Sequence, residues 1–225
     1  LSKGFGSFGF GSFREEKALQ DANYSPGSGS PSPVYDPSPV KNNLSFSAGV
    51  SARKEVTKRL AVVTGLQYNY YSTNIAVGQM RRQDTTVFNS GFTQSVSRFY
   101  LNSGTNFTGY RNHYHFITLP FSVEWSVWKK APLYLQAGLS VQHIISTNAL
   151  IFDKSSRIYY EDKNAFNKTQ LFSSFGLSYA VFKRSKTSLL IGPQLQYGIS
   201  DLEKNTSGKH LFSLGLTARF LFHKK

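Results

Sequence analysis

The chain closes on HLFSLGLTARFLF, residues 210–222. Taken alternately, Phe212, Leu214, Leu216, Ala218, Phe220 and Phe222 form one unbroken apolar face, backed by Ser213, Gly215, Thr217, Arg219 and Leu221. A period of two belongs to a β-strand. A strand lining a soluble core would bury the bulky face and would need bulk from its neighbours to fill the space. The other strands do not supply it.

The same pattern recurs along the chain. In LSFSAGVSAR, Leu44, Phe46, Ala48, Val50 and Ala52 alternate with Ser45, Ser47, Gly49 and Ser51. RLAVVTGLQYNYY sets Leu60, Val62, Leu66, Tyr68 and Tyr70 against Gly65, Gln67 and Asn69. HFITLPFSVEWSVW, LYLQAGLSVQHII, QLFSSFGLSYAVF and LLIGPQLQYGIS repeat it. The second face is Gly, Ser, Gln, Thr and Asn in almost every strand, too small and polar to fill a dry core at protein packing density. It suits the inner wall of a narrow barrel, with the Leu/Val/Phe/Tyr face turned to lipid. A lipocalin-like barrel would reverse the two walls. Pro120 and Pro193 each remove a ladder donor from a strand, and a bulge or irregular rim is expected there.

Composition agrees. A chain of 225 residues suits a single barrel domain over 1–225. Leu1 at the start leads us to expect a processed or truncated chain. There is no cysteine, hence neither disulfides nor a thiolate metal site. No run of eighteen apolar residues would make a transmembrane helix, but a transmembrane barrel needs only alternating segments of about ten. Short connections (KEVTKR, KKAP, KRSKT) alternate with long polar segments at 78–112, 150–168 and 201–209. The strand at 44–52 enters a short turn, so another strand must climb to it from the same side. Residues 1–20 are the available chain, with the Pro/Ser/Gly-rich 21–43 as first long loop and the patterned strands two to eight over 44–222. The expected fold is all-β: an eight-stranded antiparallel up-and-down transmembrane β-barrel with short periplasmic turns and long extracellular loops. The Gly-rich stretch 1–20 is poor strand material, and a flexible lead-in is the alternative for it.

Aromatic residues sort to two ends, Trp125, Trp128, Phe182, Phe220 and Phe222 by the turns and Tyr68, Tyr70, Tyr71 and Tyr114 by the loops, as interfacial girdles would. The net charge of +14 sorts too. Arg53, Lys54, Lys58, Arg59, Lys129, Lys130, Lys183, Arg184, Lys186, Lys224 and Lys225 lie at the turn side, opposed there by Glu55. Such a basic rim meets anionic lipid headgroups, or simply keeps the turns soluble. No groove or recognition helix interleaves basic and aromatic residues, so nucleic acid is not expected as a partner.

HFITLPFSVEW, then PLYLQAGLSVQ across a tight turn, then LLIGPQLQYGIS and the terminal LGLTARFLF resemble the small outer-membrane β-barrel domains of Bacteroidota, the PorT-like or "porin family" group. The resemblance spans about residues 44–222 and is one of pattern. It implies an outer-membrane location and insertion directed by an end strand finishing on aromatics, here Phe220 and Phe222, although three residues follow. It assigns no activity. It also implies that other envelope proteins are possible partners.

Enzyme constellations are not apparent. His113 and His115 share outward parity while Glu124 points inward, and His143 has Ser146 nearby without a suitable acid. Asp84, Asp153, Glu161, Asp162 and Asp201 are loop acids without an evident partner. No phosphate loop, metal-spaced cluster or nucleophile elbow occurs, and no cofactor or metal is expected. One internal constellation stands out. Glu124 and Arg219 have lumen parity, equal depth from the turn side, and strands that face each other across an eight-stranded barrel. The lumen of such a barrel is just wide enough for side chains to fill, so a lumen ion pair is expected, two separately solvated charges being the alternative. The function expected is a non-enzymatic anchor or subunit of an envelope complex, with long loops for partner binding, QMRRQDTTVFNSGF within 78–112 foremost. A narrow solute pore is the second possibility, and a lipid or peptide hydrolase the third.

Overall fold

The computed structural model describes residues 2–17, 37–89, 92–102, 107–127, 132–183, 187–204 and 209–222. Its strands are β1 (Ser2–Lys17), β2 (Lys41–Glu55), β3 (Leu60–Val77), β4 (Met80–Arg81), β5 (Thr85–Asn89), β6 (Phe92–Val96), β7 (Phe99–Leu101), β8 (Thr108–Ser126), β9 (Leu133–Thr147), β10 (Leu150–Asp153), β11 (Ile158–Glu161), β12 (Thr169–Lys183), β13 (Thr187–Gly198) and β14 (Lys209–Phe222). Eight of them close an antiparallel up-and-down barrel in the ring order β1-β14-β13-β12-β9-β8-β3-β2. The Gly-rich first segment is a full wall strand, paired to β2 on one side and β14 on the other.

Period two decides the two walls. Phe10 and Leu216 face each other across β1 and β14, 65% and 61% exposed on the outside, while Ser7 and Arg219, also paired, are buried within. The outer surface carries Val50, Leu66, Leu119, Phe121, Leu139, Val141, Phe175 and Ile191 in a continuous exposed band. Glycine on the inner wall permits the tight closure. A Cβ on Gly192 would lie 1.8 Å from the Leu177 carbonyl oxygen, and one on Gly215 would lie 2.2 Å from that of Phe10.

The prolines behave more simply than expected. Pairing lapses opposite Pro120, at Gly65 and Leu66, and opposite Pro193, at Leu177 and Ser178, then resumes in the same register. Each proline stays paired on its other side, to Ser140 and Leu216 respectively. A central proline is thus accommodated by skipping a donor rather than by a bulge.

The segment 78–112 is not a loop throughout, which corrects the expected boundaries. β3 and β8 are 18 and 19 residues long and stay paired up to Val77–Thr108, well beyond the roughly ten residues a barrel strand needs to cross a membrane. On this extension stands a four-stranded sheet in the order β10-β11-β7-β4, with the β5–β6 hairpin beside it. The small sheet has two buried faces. Ile151, Ile158, Tyr160 and Phe99 pack toward the barrel mouth, and Leu150, Tyr159 and Tyr100 pack with Ile75 and Val77. The turn closing β10–β11 is held by Asp153, whose carboxylate accepts from Ser155 and Ser156, with Arg157 in the left-handed region at φ 56°. Burial pushes the Asp153 carboxyl up, but those hydrogen bonds outweigh it and leave the group below its usual range.

Candidate functional site in the lumen and at the loop face

Near the turn side, a charged cluster crosses the lumen. Glu124 on β8 is 1% exposed. Its Oε2 accepts from Arg219 Nη1 at 3.0 Å, and its Oε1 accepts from Arg53 Nε at 2.8 Å. Arg219 Nη2 also donates to Ser178 Oγ at 2.9 Å, and Arg53 Nη1 donates to Glu55 Oε1 at 2.7 Å. These four lumen positions lie on β2, β8, β12 and β14, every second strand of the ring. The Arg219–Glu124 bond spans the barrel from β14 to β8, and the bonds to Arg53 and Ser178 extend it to β2 and β12.

Arg53 therefore does not belong to the basic rim. It lies on the inner-wall parity of β2, and its long side chain reaches the buried carboxylate where a shorter one would fall short. Strand parity already placed it inside, but position beside KEVTKR made it look like a rim residue. Lys54, Lys58 and Arg59 are exposed at the turn end. Lys129, Lys130, Arg184, Lys186 and the side chains of Lys183 and Phe222 lie outside the described residues, as do residues 18–36 of the first long connection. Phe220 faces outward and is exposed.

Next to the charged cluster the lumen is polar. Gln67 Nε2 donates to Ser7 Oγ at 3.2 Å, Gln136 Nε2 to Ser122 Oγ at 2.7 Å, and Asn69 Nδ2 to Thr118 Oγ1 at 2.8 Å. Two cavities of ≈ 30 Å³ each remain among these walls, room for about one water apiece. At the level of the charged cluster, Val63, Ala180, Leu190 and Leu221 pack into a small apolar cluster with Tyr134 against it.

Toward the loops the lumen becomes a dry aromatic core, which the sequence patterning did not anticipate. Tyr71 and Tyr114 are not girdle residues: both are buried inside, 3% and 1% exposed. Tyr71 stacks on Phe13 at 4.5 Å, meets Phe116 edge-on at 5.6 Å and faces Phe172 at 6.5 Å. Its hydroxyl donates to Gln196 Oε1 at 2.7 Å, so the ring is fixed and its polar end satisfied. Phe13, Tyr114, Phe116 and Phe172 continue without a break into Val87, Val96, Phe99, Ile151, Tyr160 and Phe166 of the loop segments. The plug and the loop platform share one core.

Outside, the histidines of interest are engaged by neutral groups. Tyr70 hydroxyl pairs with His113 Nδ1, Tyr68 hydroxyl with His115 Nδ1 at 2.5 Å, and Thr169 Oγ1 with His143 Nδ1 at 3.1 Å. A hydrolytic base is held by a third group, commonly a carboxylate, and among the described residues no carboxylate takes that place at these three Nδ1 atoms. Among the described residues, no group of three or more His, Asp or Glu is arranged to hold a metal.

No family model and no curated protein sequence matches the chain. Among solved structures it is similar to Ail, the attachment invasion locus protein of Yersinia pestis, in complex with the heparin analogue sucrose octasulfate: 12% identity over 98% of this chain and 99% of that one, TM-score 0.42. A second structure of Ail gives 12% identity, 98% of each chain and a TM-score of 0.37. The N-terminal β-barrel domain of Pseudomonas aeruginosa OprF gives 14% identity, 96% and 97% coverage, and a TM-score of 0.33.

Proposed function

We propose that this is a non-enzymatic outer-membrane barrel of the kind the PorT-like resemblance implies, closed through its lumen and working through its loop face as an anchor or subunit of an envelope complex. One observation carries the reading: the plug around Tyr71 and the loop sheets are a single apolar core. Loops that served only to connect strands would need no such core, whereas a platform held rigid on a plugged barrel presents a fixed surface to a partner. The exposed outer band then faces hydrocarbon, and Lys54, Lys58 and Arg59 meet anionic headgroups at the turn side.

The purified protein in planar bilayers should be electrically silent, and steady single-channel openings would favour the pore instead. The outer wall has its own test. Leu119→Arg should lower folding stability in lipid vesicles by about 2–4 kcal/mol, as a cation on the lipid face does. On a water-facing wall the same change would stay within about 0.5 kcal/mol, and that result would overturn the membrane assignment.

A further inference from the structure

The loop-side rim of the outer wall holds a groove unlike the cavities of the lumen. Where β9 ends, a cavity of ≈ 440 Å³ lies between the strand and the segment 163–168. Ile145 is one apolar wall, and His143, Ser146, Lys163, Asn164 and Lys168 supply polar and cationic groups. The location follows from local structure. The outward face of β9 runs Leu139, Val141, His143, Ile145, the apolar band giving way to an imidazole at its upper edge. A register shift against β8, between His115 and Phe116, loosens the strand end at that point. The single-turn 3-10 helix Lys163–Ala165 brings its lysine over the gap.

The chemistry of the groove is asymmetric. Among the described residues, two lysines and a histidine line it, and no carboxylate does. The acids nearest in sequence are occupied: Asp162 Oδ1 accepts from Asn164 N at 2.9 Å, and Glu161 takes Arg98 at 3.6 Å and the Tyr110 hydroxyl at 3.1 Å. Below the cations, Val141 and Leu171 are exposed on the outer band. A neutral transmembrane partner would have no use for paired lysines, and a soluble anion none for the Ile and Val beneath them. An amphiphile with a phosphate head and acyl chains uses both.

We infer that this groove holds the phosphorylated headgroup of a membrane amphiphile in the loop-side leaflet, the phosphate between Lys163 and Lys168 and the chains descending past Ile145, Val141 and Leu171. The inference rests on the outer band lying in lipid, which the Leu119→Arg measurement reads independently of any headgroup. The direct test titrates the full chain, in non-ionic detergent micelles, with a bis-phosphorylated lipid A and follows the complex by native mass spectrometry. Lys163→Gln/Lys168→Gln should weaken binding about tenfold to thirtyfold, the contribution of two interfacial lysines, and Lys163→Glu/Lys168→Glu should weaken it further. Both side chains are exposed, so the variants should keep wild-type heat-modifiable migration, which verifies the barrel. The dephosphorylated lipid should bind the wild type no better than the phosphorylated one binds the double Gln variant. Millimolar inorganic phosphate should not displace the lipid. Equal affinity for the dephosphorylated lipid, a loss under twofold in the variants, or displacement by inorganic phosphate would each overturn the assignment, the last by marking a site for free anions.

Discussion

Replacing Glu124 with glutamine should be among the costliest single changes in this protein, lowering unfolding free energy in lipid vesicles by about 3–5 kcal/mol, the usual penalty for removing one partner from a buried ionic cluster. The carboxylate joins Arg53 at 2.8 Å and Arg219 at 3.0 Å. Its loss leaves two guanidinium groups facing each other inside a narrow, weakly solvated lumen. Glu55 provides the contrast. It also pairs with Arg53, at 2.7 Å, but its side chain is 51% exposed, so Glu55→Gln should cost under about 1 kcal/mol. A second comparison isolates charge from packing: Arg53→Leu/Glu124→Leu/Arg219→Leu should recover most of the stability, because apolar replacement of a whole buried ionic cluster is often neutral or favourable. Urea titrations of the four proteins decide the matter. If Glu124→Gln unfolds with Glu55→Gln, the cluster contributes no more than a rim contact.

Tyr71→Ala and Phe172→Ala, singly, should each cost about 3–5 kcal/mol, because the cavity left by a buried ring cannot collapse between rigid barrel walls. The two rings face each other at 6.5 Å within one cluster, so the double variant should cost less than the sum. The loop consequence is more specific. The floor under Val87, Val96 and Phe99 is this same cluster, so limited proteolysis within 78–112 should accelerate while the barrel stays intact by gel migration. Cleavage at the wild-type rate would show that the platform stands without the plug.

Much of the wall was legible because a two-residue period is a local property. The parity of FSLGLTARF puts Arg219 inside without knowledge of any other strand, and the parity of FSVEW does the same for Glu124. Counting alternate short and long connections supplied the eighth strand in a stretch as poor in strand formers as GFGSFGFG. Parity fails where function of depth begins. Tyr71 and Tyr114 have inner-wall parity, yet tyrosines near a loop end suggest a girdle until it is known which rings meet across the lumen. Arg53 was misplaced for the same reason, since proximity to a turn in sequence says nothing of where a long side chain ends. The loop sheet was missed differently: IFDKSSRIYYE is a turn between two short apolar runs, but its partner β7, and β4 beyond it, lie some fifty residues or more away in sequence.

The sequence by itself determined which wall each strand residue faces and the up-and-down order, because alternation and connection length are set by neighbours in the chain. Only the tertiary structure added Arg53 and Ser178 to the expected Glu124–Arg219 pair and filled the loop end of the lumen with aromatic rings. Arg53, Glu124, Ser178 and Arg219 meet because ring closure at this strand number brings every second strand within side-chain reach of the axis. The terminal strand HLFSLGLTARFLF carries that division within itself: its outer face and the pairing of Arg219 with Glu124 were readable from period two and strand count, whereas the Ser178 hydroxyl on Arg219 and the second cation, Arg53, on Glu124 join only once the barrel has closed.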